Sequence, residues 1–199
     1  MRKNIEGIVV AILIALFIRS FIVQAFDIPS GSMEPTLLPG DYILVNKFIY
    51  GVRIPFSNTK IFPYNNPKRG DVIVFIFPKN PSEDFIKRVI GMPGETVQII
   101  QGKIYIDNAL ISDPWGYFDK KEPPGFIQAV ENFGPFKVSD DSLFVMGDNR
   151  NNSADSRFWG TLPLKNVLGK AFVIYFSWDS KAENPADKVR WSRIGKLIH

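Results

Sequence analysis

The strongest hydrophobic signal lies at the start of the chain. Residues 5–26 are apolar apart from Glu6, Arg19, Ser20 and Gln24. As a helix this run spans about 33 Å, enough to cross a bilayer. Further along, the pattern changes to short apolar runs cut by Pro, Gly and polar residues. Residues 41–50 (DYILVNKFIY) predict a strand. Residues 71–77 (DVIVFIF) are almost wholly apolar and predict a strand buried on both faces. Residues 84–90 (DFIKRVI) predict another strand, closed by the turn residues at 91–94. A hairpin is expected over residues 97–106, turning at Gln101-Gly102, and late strands over 143–146 and 167–176. Residues 51–67 and 113–136 read as loops. No internal repeat is visible. Beyond the first run, the chain therefore reads as mainly β with long connections.

Charge orients the first run. Arg2 and Lys3 precede it, whereas Asp27, Glu34 and Asp41 follow it before the next basic residue, Lys47. The positive-inside rule puts the N-terminus in the cytoplasm and the β-rich part outside. Arg19, near the far end, can snorkel to the interface. A cleavable signal peptide is the rival reading, because Val23-Gln24-Ala25 resembles a cleavage site. Arg19 and Phe21 make an untidy cleavage region, which favours a retained anchor. The net charge of +4 is spread over pairs such as Lys68-Arg69 and Lys87-Arg88, which does not indicate nucleic-acid binding. The length of 199 residues and 45% hydrophobic content suit one globular domain.

The chemistry is bounded by what is missing. There is no cysteine, and the only histidine is His199. Thiol nucleophiles, Ser-His-Asp triads and His- or Cys-based metal sites are thereby disfavoured. Three stretches remain. Residues 28–37 (IPSGSMEPTL) hold Ser30 and Ser32 in a loop stiffened by Pro29 and Pro35. A serine nucleophile needs an unprotonated base, and a lysine serves if burial lowers its pKa. Lys87 is such a lysine, since strand alternation sets it on one face with Phe85 and Val89. The plainer reading is an edge-strand lysine pointing to water. Residues 147–157 (GDNRNNSADSR) form a polar loop after an apolar strand, where functional residues often sit. Within it, Asp155 and Arg157 can pair to hold Ser153 or Ser156 in place. An aspartic dyad drawn from Asp71, Asp148 and Asp155 is a weaker option, because nothing in the sequence brings these carboxylates together.

Taken together and in order, these stretches resemble the bacterial type I signal peptidases. The carriers are SGSMEPTL at 30–37, KRGDVIVF at 68–75, FIKRVIGMPGE at 85–95, GDNRNNSADSRFWG at 147–160 and WSRIGKLIH at 191–199. The resemblance implies a mainly β, antiparallel signal-peptidase-like catalytic domain over residues 27–199. It further implies one N-terminal transmembrane helix within 1–26 and a reduced inserted segment at about 107–141. Ser32 would be the nucleophile and Lys87 the general base. The Ser30 hydroxyl and the Ser32 N–H would form the oxyanion hole. Ser153 would hydrogen-bond the Lys87 amine, with Asp155 and Arg157 in support. Ile28, Met33, Leu37, Phe85 and Ile86 would line the substrate pockets. Phe85 stands where the family has tyrosine, and Asn151 where it has aspartate.

The implied substrates are signal peptides of exported pre-proteins, cleaved after a small-x-small site. The implied setting is the cytoplasmic membrane near the export translocon, with the lipid bilayer as a partner, no cofactor and no metal. A membrane-tethered, non-catalytic peptide-binding module and a self-cleaving Ser/Lys repressor are the alternatives. The first would lack Ser32 or Lys87. The second would carry a DNA-binding domain before the serine.

Overall fold

The structure, a computed structural model, describes residues 7–10, 23–53, 60–61, 65–118 and 131–199. Residues 7–10 are helical and exposed. No helix among the described residues is long and apolar enough to cross a membrane. Most of the expected anchor lies outside the described residues. Its expected end is corrected: Val23–Asp27 is a strand, not the last turn of a helix. These residues read as apolar because Val23, Ala25 and Phe26 continue the run, but their backbone groups pair with a neighbouring strand.

That strand is β1. It pairs antiparallel with β2 (Asp41–Asn46), in the register Val23↔Asn46 to Asp27↔Tyr42. β2 lies against the long β13 (Val167–Ser177), which also pairs with β5 (Val72–Ile76). Then come β6 (Asp84–Gly91), β11 (Ser142–Met146) and the two-residue β12 (Leu162–Pro163). All these pairings are antiparallel. A second sheet runs β10-β7-β8-β9, built from β7 (Thr96–Ile100), β8 (Lys103–Ile106), β9 (Ala109–Leu110) and β10 (Phe133–Lys137). A small ribbon joins β3 (Val52–Arg53) to β4 (Lys60–Ile61). The mainly β, antiparallel expectation therefore describes this architecture.

Sequence pattern explains the layers. In β5, Val72 and Val74 face one apolar cluster with Ile43, Val45 and Ile174. Ile73 and Phe75 face a second, with Val89, Leu143 and Val145. Helical packing of such a run is excluded by its strict two-residue alternation between the clusters. A third cluster, including Ile90, Val97, Ile104 and Phe144, fills the space against the second sheet. The β7–β8 turn falls at Gln101-Gly102, where both residues take positive φ (50° and 74°). That is the two-residue turn whose twist matches flanking strands. The loop expected over 113–136 is corrected at its end, since Phe133–Lys137 forms β10. Pro135 made that strand hard to foresee, but β10 is an edge strand, where a missing N–H is tolerated.

One ion pair braces the part of the fold that carries the serines. Arg88 in β6 and Asp148, just after β11, are both fully buried. Arg88 Nε and Nη2 each donate to an Asp148 oxygen at 2.7 Å. Thr36 Oγ1, in the serine loop, donates to Asp148 Oδ2 at 2.6 Å. Arg88 Nη1 donates to the Gly70 and His199 carbonyl oxygens at 2.6 and 2.7 Å. The Trp115 ring lies 4.5 Å from the guanidinium carbon. Four further chain segments thus converge on one pair. Removing a single partner from such a pair strands a buried charge, which costs about 3–5 kcal/mol. Arg88→Met should lower the unfolding free energy of the solubilised protein, read from its urea transition, by that much, and Asp148→Leu added to it should recover part of the loss. An unchanged unfolding transition in Arg88→Met would mean that the pair does not brace the fold.

Candidate active site

The serine loop is short, a single turn after an extended residue. Ser30 is extended (φ −130°, ψ 159°), and Gly31–Met33 form one 3₁₀ turn, closed by Glu34 N–H donating to the Gly31 carbonyl. Met33 and Leu37 anchor the loop in the first apolar cluster, both fully buried. With its neighbour buried, Ser32 is left partly exposed on the opposite side of the turn. Ser30 is exposed, and its Oγ donates to Ser32 Oγ at 3.5 Å.

Lys87 arrives from β6. Its Nζ donates to Ser32 Oγ at 2.8 Å and to the Ile86 carbonyl at 2.9 Å. β6 is an internal strand, flanked by β5 and β11, so Lys87 is no edge lysine. Opposite it in the ladder is Ile73, and the Phe85 ring centroid is 5.5 Å from Nζ. Only 4% of the residue is exposed. Burial disfavours the ammonium and lowers the lysine pKa to about 8. The Asp155 and Asp148 carboxylates work against this shift, and Arg157 works with it.

The polar loop at 147–157 holds the other side. Asp155 is buried and caps the short helix α1 (Ser156–Trp159), accepting from the Arg157 N–H. Its oxygens also accept from Arg157 Nε and Nη2, both at 2.8 Å, and from the Gly147 N–H at 3.0 Å. Gly147 has to lack a side chain, because a Cβ there would lie 2.4 Å from the Ser32 carbonyl oxygen and 2.2 Å from Ser153 Oγ. A cleft of about 280 Å³ opens beside this loop, lined by Asn151, Asn152, Ser153, Ala154 and Phe158.

Two expectations need correction. The Ser153 hydroxyl is buried with no hydrogen-bond partner among the described residues, so its expected bond to Lys87 is not formed. Ile28, Met33 and Leu37 are core residues, at most 3% exposed, and stand behind the site instead of forming its open surface. Phe85 and Ile86 remain partly exposed, and Phe85 stacks on Phe77 with ring centroids 4.3 Å apart. The three carboxylates of the aspartic option are each tied to a cation, Asp71 to Lys170, Asp148 to Arg88 and Asp155 to Arg157. Sequence reasoning missed three residues that shape the site. Asn149 and Arg150 lie in the polar loop and are buried, as is Arg88 beside Lys87. A buried arginine in an apolar strand next to a lysine was the available signal.

Comparison with known proteins bears on the family. A family profile described as "Signal peptidase, peptidase S26" matches residues 1–178. Signal peptidase I of Pseudomonas aeruginosa is 40% identical over 221 residues, covering 94% of this chain and 75% of that protein. Signal peptidase I of Aquifex aeolicus is 36% identical over 251 residues, covering 100% of this chain and 93% of that protein. A crystal structure of a signal peptidase I from Enterococcus faecalis V583 aligns with 53% of this chain and 97% of its own, at 29% identity. Its TM-score is 0.42, a likeness too loose to add to the assignment. The chain belongs to the signal peptidase family, peptidase S26, and is a serine endopeptidase.

Proposed function

We propose that this protein removes signal peptides from exported pre-proteins, using Ser32 as nucleophile and Lys87 as general base. The observation that carries the reading is the 2.8 Å contact between Lys87 Nζ and Ser32 Oγ within an apolar surround. With a pKa of about 8, about 9% of Lys87 is neutral at pH 7, against about 0.04% for a free lysine. Neutral Lys87 takes the Ser32 proton as the oxygen attacks the scissile carbonyl. The Ser32 N–H and the Ser30 hydroxyl donate to the developing oxyanion. The protonated lysine then gives its proton to the leaving amine. Water, deprotonated by the same lysine, releases the acyl-enzyme. Asp155 and Arg157 keep the loop beside Lys87 in place, and Ser153 sits next to them.

The substrate would lie extended beside the serine loop, with alternate side chains turned toward Phe85 and Ile86. Ile28, Met33 and Leu37 would back that surface from the core and keep the pockets shallow, which suits small residues at the small-x-small positions. A membrane setting follows from the apolar run that precedes β1. Cleavage after Ala25 would cut Val23 to Ala25 out of their pairing with β2, which favours a retained anchor over a cleaved leader. The N-terminus would face the cytoplasm and the β domain the outer side, near the translocon and the lipid surface.

Three outcomes test this reading. Ser32→Ala should abolish cleavage of a pre-protein by the solubilised enzyme. Ser30→Ala should lower kcat by up to roughly 10²–10³-fold with KM little changed, because that donor acts in the transition state. Equal, mild losses in the two variants would reverse the assignment. For the base, kcat/KM should rise with pH and level off above about 8, since the neutral amine is the active form. Lys87→Arg should be inactive at every pH, as arginine does not deprotonate in proteins. Cleavage by that variant above a few per cent of the parent rate rules the lysine out. For topology, protease added outside intact cytoplasmic membranes should digest the β domain, and N-terminal sequencing should recover the anchor on the mature protein. A soluble mature form starting at Phe26 would refute the anchor.

A further inference from the structure

Asn149 brackets the serine. Its own N–H donates to the Ser32 carbonyl at 3.1 Å, and its side-chain Nδ2 donates to the Gly31 carbonyl at 3.2 Å. The two accepting carbonyls lie on either side of the Ser32 α-carbon. The Gly31 carbonyl and the Ser32 N–H belong to one peptide group, and that group is trans. In a trans peptide the C=O and N–H point in opposite directions. Holding the carbonyl against Asn149 therefore aims the Ser32 N–H the other way. Glu34 N–H also donates to the Gly31 carbonyl, but that bond lies inside the turn and moves with it. The Asn149 bonds tie the turn to the loop that carries Asp148, and hence to the Arg88 brace.

The side-chain amide has one useful orientation. Asn149 is 1% exposed, and its Oδ1 has no hydrogen-bond partner among the described residues. A half-turn of the amide would set Oδ1 against the Gly31 oxygen, acceptor against acceptor. The observed orientation favours the serine loop and leaves the amide's own acceptor unpaired. A donor on the Gly31 carbonyl also polarises the peptide and strengthens its N–H as a hydrogen-bond donor. We infer that Asn149 is a positioning residue that orients the Gly31–Ser32 peptide so that the Ser32 N–H meets the oxyanion. The inference rests on Ser32 as nucleophile and its N–H as an oxyanion donor.

The test compares the full-length enzyme with Asn149→Ala, which removes the donor, and Asn149→Asp, which fills the same space with an acceptor. Rates are expressed per folded active site, from the acyl-enzyme burst, so that a loss of folded protein does not count as a loss of rate. Three quantities are read: the kcat and KM for a peptide substrate, the pH midpoint of kcat/KM, and inhibition by a substrate-based peptide aldehyde, whose serine adduct carries an oxyanion. Asn149→Ala should lower kcat by about 10–100-fold, and Asn149→Asp by more. KM should change less than about threefold, the pH midpoint should stay in place, and aldehyde affinity should fall in step with kcat. A kcat within about threefold of the parent in both variants overturns the inference. So does a loss of kcat with unchanged aldehyde affinity, or a moved pH midpoint, which would place the effect on Lys87. Full activity in a parallel Ser32→Ala control would instead overturn the nucleophile assignment itself.

Discussion

The site depends on keeping two adjacent cationic residues of one strand in opposite conditions. Under the proposed mechanism Lys87 loses its proton, whereas Arg88 is ion-paired with Asp148 at the centre of a buried cluster. Strand alternation separates them, turning consecutive side chains to opposite faces of β6. Arg88 finds a carboxylate, a hydroxyl and two carbonyls. Lys87 finds apolar groups, one carbonyl and Ser32. Among the described residues no carboxylate contacts Lys87 directly, so desolvation prevails over the more distant attraction of Asp155 and Asp148.

The Arg88–Asp148 pair also explains why the serine loop can be so short. A single 3₁₀ turn has little stability of its own. Here it is held from beneath by Met33 and Leu37, from the side by Asn149, and from behind by Thr36 on Asp148. Arg193 adds a further tie, donating to the Thr36 carbonyl at 2.9 Å while paired with buried Asp41. The polar ties come from distant parts of the chain. The loop supplies the serines, and the rest of the fold supplies their geometry.

Much of this was legible in local pattern. The unbroken apolar run at residues 72–76, the Gln101-Gly102 turn and a lysine among Phe85, Val89 and Ile90 each carry their structural meaning within ten residues. β1 was hidden because its residues continue an apolar run whose period does not separate helix from strand. β10 was hidden by Pro135, whose tolerance depends on the strand lying at an edge. The expected Ser153 bond to Lys87 failed because side-chain direction in a turn-rich loop is set by packing, here with the Ser153 side chain close against Gly147. The Asn149 contacts join residues more than a hundred positions apart, and no local pattern encodes them.

The buried amine has a thermodynamic side as well. The folded protein binds the Lys87 proton more weakly than the unfolded chain does, with a pKa of about 8 against an ordinary 10.5. Below pH 8 both states are protonated, and the native state bears the full penalty of the buried ammonium. Between pH 8 and 10.5 the unfolded chain holds the proton and the native state does not, so this group's contribution to stability rises with pH. In most active sites the strained arrangement that gives rate detracts from robustness. Under the proposed mechanism one deprotonation serves both ends: activity climbs toward its plateau as pH approaches about 8, and above that pH, where activity is level, the same group's contribution to native stability begins to grow.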